Sequence, residues 1–240
     1  MNPVAWVENA AGRGDVLLVC EHASHWIPDR YGDLGVSEAD RRRHIAWDIG
    51  AAALARGLAA RLDARLVLSG VSRLVIDCNR PPGAPSSIPL RSEDTDIPGN
   101  AGLTAAEVAF RQREYFEPFR ALVAAQIAAR RPAMLVGVHS FTPIFRGVAR
   151  PWHAGVLYAQ ARTLGERLVA GLRADPALVV GANEPYRIEA EEDFTVPVHG
   201  DAKGIPAVLL EVRQDLLADE AGAEAWAERL APLLGAAVAF

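Results

Sequence analysis

The chain contains few of the residues that mark membrane, secreted or nucleic-acid-binding proteins. Its 240 residues include two cysteines and a single lysine, Lys203. No apolar run approaches the roughly 20 residues that cross a bilayer. Two cysteines make a poor disulfide framework, so Cys20 and Cys78 are expected to be buried free thiols. The first residues lack a basic segment followed by an apolar stretch, which argues against a secretory signal. We therefore expect a cytoplasmic protein with no membrane partner.

Charge is ordinary in both amount and distribution. The chain carries 25 basic and 30 acidic residues, a net charge of −5, without long runs of one sign. Because nucleic-acid binding needs clustered lysine and arginine, no nucleic-acid partner is expected. With 50% hydrophobic residues the chain can bury a sizeable core. We predict a single domain over residues 1–240, and the sequence leaves the oligomeric state open.

Short apolar runs alternate with longer segments of helical periodicity. Runs rich in Val, Ile and Leu predict buried strands, which are expected at 16–20, 66–68, 74–78, 134–138, 154–158 and 207–212. The helices are expected at 37–62, at 104–131 with an interruption at Pro118, at about 161–174 and at about 219–238. This order predicts an α/β fold, in which a mixed, mostly parallel sheet is flanked by helices.

Chemically reactive side chains follow four of these predicted strands. They are Glu21 and His22 after the first, Asn79 and Arg80 after 74–78, His139 after 134–138, and Glu211 near the end of 207–212. In parallel α/β sheets, ligands bind in the crevice beyond the carboxyl ends of the strands. We therefore expect these side chains to meet in one site.

The histidines predict a metal centre. His22 and His139 each come directly after an apolar run, and neutral imidazole is a common ligand of zinc-like metals. A catalytic zinc site usually has three protein ligands, so a third must come from elsewhere. Asp48 and His44 are four residues apart on a predicted helix and either can supply it. Glu21 and His25 are weaker candidates, and Glu21 would point away from His22 if the strand continued.

A general base and groups for substrate binding are also present. Glu211 shares a strand face with Arg213, which predicts either a structural ion pair or a base held beside a cation. Arg80, with Asn79 beside it, offers donors for a substrate carboxylate or a developing oxyanion. Arg73 can pair with Asp77 or bind substrate.

Serine hydrolysis is not favoured. The segment 137–141 places Ser140 beside His139 but lacks the Gly-x-Ser-x-Gly elbow of serine hydrolases. Ser140 is instead expected in the substrate pocket. His199 lies in a polar segment and can line the same pocket or cap a turn.

Five short blocks resemble those of the N-formylglutamate amidohydrolases. The blocks are Cys-Glu-His-Ala-Ser at 20–24, His-Ile-Ala-Trp-Asp-Ile-Gly-Ala at 44–51, Asp-Cys-Asn-Arg-Pro at 77–81, Val-His-Ser-Phe-Thr-Pro at 138–143 and Glu-Val-Arg-Gln-Asp at 211–215. The resemblance implies the phosphorylase/hydrolase-like α/β fold that this family shares with zinc carboxypeptidases and aspartoacylases.

The resemblance also implies roles for individual residues. His22 and His139 correspond to the two histidine ligands, Asn79 and Arg80 to the pair that binds the substrate carboxylate, and Glu211 to the general base. The His-x-x-Glu motif of the carboxypeptidases is missing, because His25 occupies its last position. Asp48 is the expected replacement as third ligand.

Together these features predict a metal-dependent amidohydrolase, with Zn²⁺ as the expected metal. The expected substrate is a small N-acyl amino acid such as N-formyl-L-glutamate. The first block departs from the family pattern at Glu21, Ala23 and Ser24, which leaves the acyl group and the amino acid open. Two alternatives stand beside this prediction: a carboxypeptidase- or aspartoacylase-like hydrolase of another amide, and a ligand-binding protein without turnover.

Overall fold

The computed structural model describes residues 3–238, and eleven short strands occur in this part of the chain. They are β1 (Ala5–Glu8), β2 (Val16–Cys20), β3 (Arg65–Ser69), β4 (Arg91–Ser92), β5 (Thr95–Asp96), β6 (Met134–Phe141), β7 (Ile144–Phe145), β8 (Val148–Ala149), β9 (Ala154–Leu157), β10 (Val180–Ala182) and β11 (Ala207–Arg213). Seven of them form one sheet in the order β1-β3-β2-β6-β11-β9-β10. The other four pair as two small hairpins, β4 with β5 and β7 with β8.

The centre of the sheet is parallel and its flanks are mixed. Strands β3, β2, β6 and β11 run in the same direction, whereas β1 is antiparallel to β3 and β9 is antiparallel to β11. The register places Glu211 directly opposite His139. The carboxyl ends of β2, β6 and β11 therefore meet at one edge of the sheet, as the predicted mixed, mostly parallel α/β fold requires.

Helices cover both faces of the sheet. They are α1 (Glu38–Arg41), α2 (Ala51–Leu62), α3 (Ala105–Arg111), α4 (Glu117–Ala129), α5 (Arg162–Arg173) and α6 (Glu220–Val238). Alternate residues of each strand point to opposite faces, so Leu18 packs with α2 and α6 while Leu17 and Val19 pack against α4. Both cysteines are buried and free, as predicted. Among the described residues no helix combines the length and apolarity needed to cross a bilayer.

The predicted strand at 74–78 is wrong. This segment consists of turns, although Leu74, Val75 and Ile76 are buried in an apolar cluster of their own. Side chains replace the missing sheet partners: Arg111 donates to the carbonyl of Val75, and Asn100 donates to that of Leu74. A short apolar run predicts burial, and burial alone does not distinguish a strand from an internal loop.

The predicted helix at 37–62 is wrong in its middle. Ser37 caps α1, but the chain then forms turns until α2 begins at Ala51. The backbone amide of Asp48 donates to the carbonyl of His22 at 3.0 Å, which holds this segment against the end of β2. His44 and Asp48 therefore do not share a helix face.

The predicted helix at 104–131 is interrupted near Pro118, as expected. A π-helical turn at Gln112–Phe116 separates α3 from α4, and Pro118 is the second residue of α4. Proline lacks an amide hydrogen, so it is well tolerated in the first turn of a helix.

Gly50 allows the turn segment to join α2. It has a left-handed backbone with φ of 79°, and a Cβ at this position would lie 2.3 Å from Cβ of Leu217. We expect Gly50→Ala to lower the free energy of unfolding by at least about 2 kcal/mol, because backbone strain and overpacking add. Denaturant unfolding would measure the change.

Gly102 provides the matched control. Its φ is 65°, and no atom lies within 4 Å of the point that a Cβ would occupy. Gly102→Ala should therefore cost only the strain, about 1–2 kcal/mol. Equal losses for the two variants would contradict the close approach of Leu217 to Gly50.

Candidate active site

A cavity of about 740 Å³ opens at the carboxyl edge of the central strands. Most of the predicted site residues line it: His22, Asp48, Arg73, Asn79, Arg80, His139, Ser140 and Glu211. His22 follows β2, His139 and Ser140 lie on β6, and Glu211 lies on β11. The remaining wall comes from the loop after β3 and from the segment around residues 186–193. The parallel centre of the sheet thus assembles the site from distant parts of the sequence.

Asp48 lies between the two predicted histidine ligands. Its Oδ2 atom is 3.3 Å from Nδ1 of His22 and 2.9 Å from Nδ1 of His139. The amide of Ser140 also donates to this oxygen at 3.3 Å. The two imidazole rings are 5.0 Å apart and meet edge to face. All three titratable side chains are buried.

Two further carboxylates lie on the outer sides of the same rings. Asp77 Oδ1 is 2.7 Å from Nε2 of His22, and Glu21 Oε2 is 3.1 Å from Nε2 of His139. Arg73 forms an ion pair with Asp77 at 2.7 Å and lies 3.4 Å from Asp48. Of the two roles left open for Arg73, the structure shows the pairing with Asp77, and this ion pair leaves Arg73 less free for substrate.

The charges of this cluster shift one another strongly. Burial acts to raise the pKa of Asp48, but His22 and His139 outweigh burial and hold that pKa well below its usual range. Burial acts to lower the pKa of His139, but the Glu21 and Asp48 carboxylates raise it. Glu211 differs, because burial raises its pKa to about 7 with only partial compensation from His139. Its Oε2 atom has no hydrogen-bond partner among the described residues.

The central three residues fit a divalent metal. His22, Asp48 and His139 each offer one ligand atom, and these atoms all lie within 4.8 Å of one another. A tetrahedral zinc bound at about 2.0–2.2 Å has ligand atoms roughly 3.3–3.6 Å apart. The observed separations of 2.9 and 3.3 Å from the Asp48 oxygen are close to that spacing. Two imidazoles and one carboxylate also match the usual donor set of catalytic zinc sites, so this group can bind a metal.

The other proposed third ligands lie elsewhere. His44 lines the cavity, but its Nε2 atom is 3.1 Å from Glu93. Glu21 contacts the far side of the His139 ring, opposite to Asp48. Neither belongs to the group of converging ligand atoms in the described part of the chain.

Asn79 and Arg80 hold the opposite wall of the cavity together. The Asn79 side chain accepts a hydrogen bond from the amide of Thr195 at 2.9 Å and donates one to Asp193 at 3.2 Å. Arg80 donates to Asp193 at 2.8 Å through Nη1, which also bonds the carbonyl of Glu192. Asp193 was not predicted, because nothing in its local sequence marks it. Asn79 is thus mainly occupied by protein partners, whereas Arg80 keeps part of its guanidinium for a ligand.

Two predicted substrate-binding residues lie outside the cavity wall. Arg213 does not pair with Glu211; it forms a 2.8 Å ion pair with Asp215, because the strand ends at this position and the side chain turns to the next segment. His199 lies in a π-helical turn, Thr195–Gly200, where it packs against Phe194 and neither caps a turn nor lines the cavity. Ser140 lines the cavity, and its hydroxyl donates to the carbonyl of Ile49.

His199 should make the protein sensitive to mild acid. Burial, with repulsion from Lys203 and Arg120, lowers its pKa to about 4. The unfolded chain takes up a proton below about pH 6.5, whereas the folded protein does so only near pH 4. Stability is therefore lost as pH falls through this window, by up to about 3 kcal/mol. Urea titrations at several pH values should show a shallower loss for His199→Gln; parallel curves would contradict this assignment.

Comparison with known proteins agrees with the motif pattern. The sequence model of the N-formylglutamate amidohydrolase family matches residues 14–218. No curated protein matches the chain. Among solved structures, gene product Atu2144 from Agrobacterium tumefaciens is 42% identical, covers 98% of this chain and 95% of its own, and superposes with a TM-score of 0.94.

A more distant structure shares the fold. An N-formylglutamate amidohydrolase from Ralstonia eutropha JMP134 is 19% identical over 98% of this chain and 97% of its own, with a TM-score of 0.66. At this identity the likeness concerns the fold. A metallo-carboxypeptidase from Burkholderia cenocepacia aligns with 98% of this chain and 64% of its own, at 13% identity and a TM-score of 0.42. The match over residues 14–218 confirms the predicted resemblance, and the chain belongs to the N-formylglutamate amidohydrolase family.

Proposed function

We propose that this protein is a metal-dependent amidohydrolase that cleaves the amide of a small N-acyl amino acid. Family membership supports amide hydrolysis and makes N-formyl-L-glutamate the first substrate to test. The observation that carries the proposal is the buried cluster of His22, Asp48 and His139 at the floor of the cavity, with the Glu211 carboxylate on the adjacent strand. Zn²⁺ is the predicted metal, and a cytoplasmic location stays a prediction.

His22, Asp48 and His139 would hold the cation and leave one side open to the cavity. A divalent metal supplies Lewis acidity there, which lowers the pKa of water and polarises a carbonyl. The three side chains come from the end of β2, the turn before α2 and β6, so their positions depend on the rigid centre of the sheet. They are buried, which limits competing hydration of the ligand atoms.

Glu211 is proposed as the general base and acid. It lines the same cavity, and no protein group among the described residues bonds its Oε2 atom. An unpaired, buried carboxylate has a raised proton affinity, which suits a group that must take a proton from attacking water and return it to the leaving amine. A bound cation would favour the ionised form of Glu211 and prepare it to act as the base.

Arg80 is proposed to bind the substrate carboxylate. Its contacts to Asp193 and Glu192 both use Nη1, so Nε and Nη2 can still donate to an anion. Asn79, Arg73 and Ser140 would contribute mainly by shaping the wall, because their polar groups already bond to protein. An N-acyl amino acid would then place its carboxylate near Arg80 and its amide over the metal ligands.

A carboxypeptidase- or aspartoacylase-like hydrolase is the alternative within enzymes, and a non-catalytic ligand-binding protein is the alternative outside them. Parallel assays with N-formyl, N-acetyl and dipeptide substrates separate the enzymes, with formate release as the expected positive result. Absence of turnover on every substrate, together with tight binding of an N-acyl amino acid, would favour the binding protein.

The metal ligands can be tested by composition. We expect the purified protein to bind about one equivalent of Zn²⁺, and His22→Ala or His139→Ala to lose it. Each substitution removes one of three proposed ligands. Elemental analysis after dialysis measures the content. His153→Ala is the control, because His153 bonds the amide of Val179 outside the cavity. A full equivalent of zinc in both His22→Ala and His139→Ala would overturn the proposed metal site.

Glu211→Gln separates catalysis from metal binding. The amide keeps the size of the side chain but cannot accept the proton of water. We expect turnover to fall at least about 100-fold, within the range assigned to proton-transfer catalysis, while zinc content stays unchanged. Steady-state kinetics beside elemental analysis would check both. Near-normal turnover would remove Glu211 from the mechanism.

Arg80→Gln tests recognition of the substrate carboxylate. Loss of a charged hydrogen bond costs about 1.5–3 kcal/mol, so KM should rise roughly 10- to 100-fold for substrates with a free carboxylate. A substrate whose carboxylate is replaced by a carboxamide should show little change. Arg91→Gln is a matched control, because Arg91 also lines the cavity but is paired with Asp96. Equal losses on both substrates would contradict the role of Arg80.

A further inference from the structure

The two histidines of the cluster have the same arrangement of partners. Each ring directs Nδ1 to the Asp48 carboxylate and Nε2 to a second carboxylate, Asp77 for His22 and Glu21 for His139. Both second carboxylates are almost fully buried, with side-chain exposures of 3% for Asp77 and 0% for Glu21. A buried carboxylate is costly unless it is paired, and His139 is the ion-pair partner that Glu21 has among the described residues.

We propose that Glu21 and Asp77 are positioning residues that force His139 and His22 to present Nδ1 to the metal. This inference rests on the proposed function, because it assumes that His22, Asp48 and His139 are the ligands. An imidazole that donates its Nε2 proton to a carboxylate keeps Nδ1 unprotonated and available as a ligand. The same contact fixes the orientation of the ring.

Glu21 is placed to act on His139 and on no other ligand atom. Its Oε2 atom is 3.1 Å from Nε2 of His139, which is ion-pair distance without the angles of a hydrogen bond, and neither atom has a hydrogen-bond partner among the described residues. Nδ1 and Nε2 lie on opposite sides of an imidazole, so Glu21 and Asp48 occupy opposite sides of the His139 ring. Glu21 therefore cannot join the coordination sphere that His139 enters through Nδ1.

Asp77 acts on His22 within a larger network. Its Oδ1 atom is 2.7 Å from Nε2 of His22 and also accepts the amide of Asn79 at 2.8 Å. Its Oδ2 atom is held by Arg73. Because Asp77 also supports the loop that carries Asn79, substitution of Asp77 would change several contacts at once. Glu21 is the better residue for a test.

The test measures zinc affinity and the coordinating nitrogen. Outer carboxylates of this kind typically contribute 10- to 100-fold to metal affinity. We expect Glu21→Ala to raise the zinc dissociation constant by about that factor in a chelator competition assay. Glu21→Gln, which retains an oxygen acceptor without the charge, should lose less. In the zinc-loaded wild type, nitrogen NMR of His139 should show a metal-bound Nδ1 and a protonated Nε2.

Glu93→Gln is the matched carboxylate control. Glu93 lines the same cavity and lies 3.1 Å from Nε2 of His44, which is not one of the proposed ligands. The zinc dissociation constant of this variant should therefore stay near the wild-type value, well below the 10- to 100-fold rise expected for Glu21→Ala. Thermal unfolding of the metal-free proteins identifies variants that fail to fold. If Glu21→Ala does not fold, the zinc affinity of Glu21→Gln provides the test.

The ways in which the test can fail are distinguishable. A wild-type protein that binds no zinc overturns the proposed function and this inference together. A wild type that binds zinc through Nε2 of His139 overturns this inference alone. Unchanged zinc affinity in both folded Glu21 variants also overturns this inference and leaves the proposed function in place.

Discussion

The whole site depends on one carboxylate that lies between two imidazoles. Oδ2 of Asp48 is within 3.3 Å of both Nδ1 atoms and of the amide of Ser140. In a buried position this concentration of charge is stable only when every partner is present, because an isolated buried carboxylate is expensive. The turn that carries Asp48 is fixed by its own amide, which bonds the carbonyl of His22. The main chain and the side chain of Asp48 therefore both connect this turn to β2.

The parallel sheet fixes the positions of Glu211 and His139 relative to each other. Adjacent parallel strands place Glu211 beside His139 through a continuous ladder from 207 to 213. Positions on such strands are difficult to move without disturbing the apolar core on both faces, where Leu135 and Leu209 are packed. His139 and Glu211 therefore lie on packed central strands, whereas His22 follows β2 and Asp48 lies in the turn before α2. The groups proposed to bind substrate lie on loops.

Much of this arrangement was predictable from the sequence, for a physical reason. Buried parallel strands have short apolar runs as their sequence pattern, and the polar residue that ends such a run lies at the ligand-binding edge, so His22, His139 and Glu211 were identifiable. The same reasoning misplaced 74–78, because an internal loop held by Arg111 and Asn100 is as apolar as a strand. The helical stripe before α2 suggested a continuous helix, although Gly50 ends the turn segment there.

Contacts between distant side chains were the harder part. Strand periodicity placed Arg213 on the face of Glu211, but it did not identify Asp215 as its partner. Asp193 and the outer contacts of Glu21 and Asp77 have no local signature, since each depends on segments that meet only in the folded chain. Local patterns predict which face a residue occupies, and tertiary packing decides which atom it meets.

The loop at 71–80 affects how substrate preference can change among proteins with this fold. Its backbone is held by side-chain donors such as Arg111 rather than by strand pairing. Changes in the length or sequence of this loop therefore leave the register of the sheet untouched. The same loop carries Asp77, which contacts His22, and Arg80, the residue proposed to bind the substrate carboxylate. A change in the loop that alters substrate preference would therefore also disturb the orientation of His22, which couples the two halves of the proposed site.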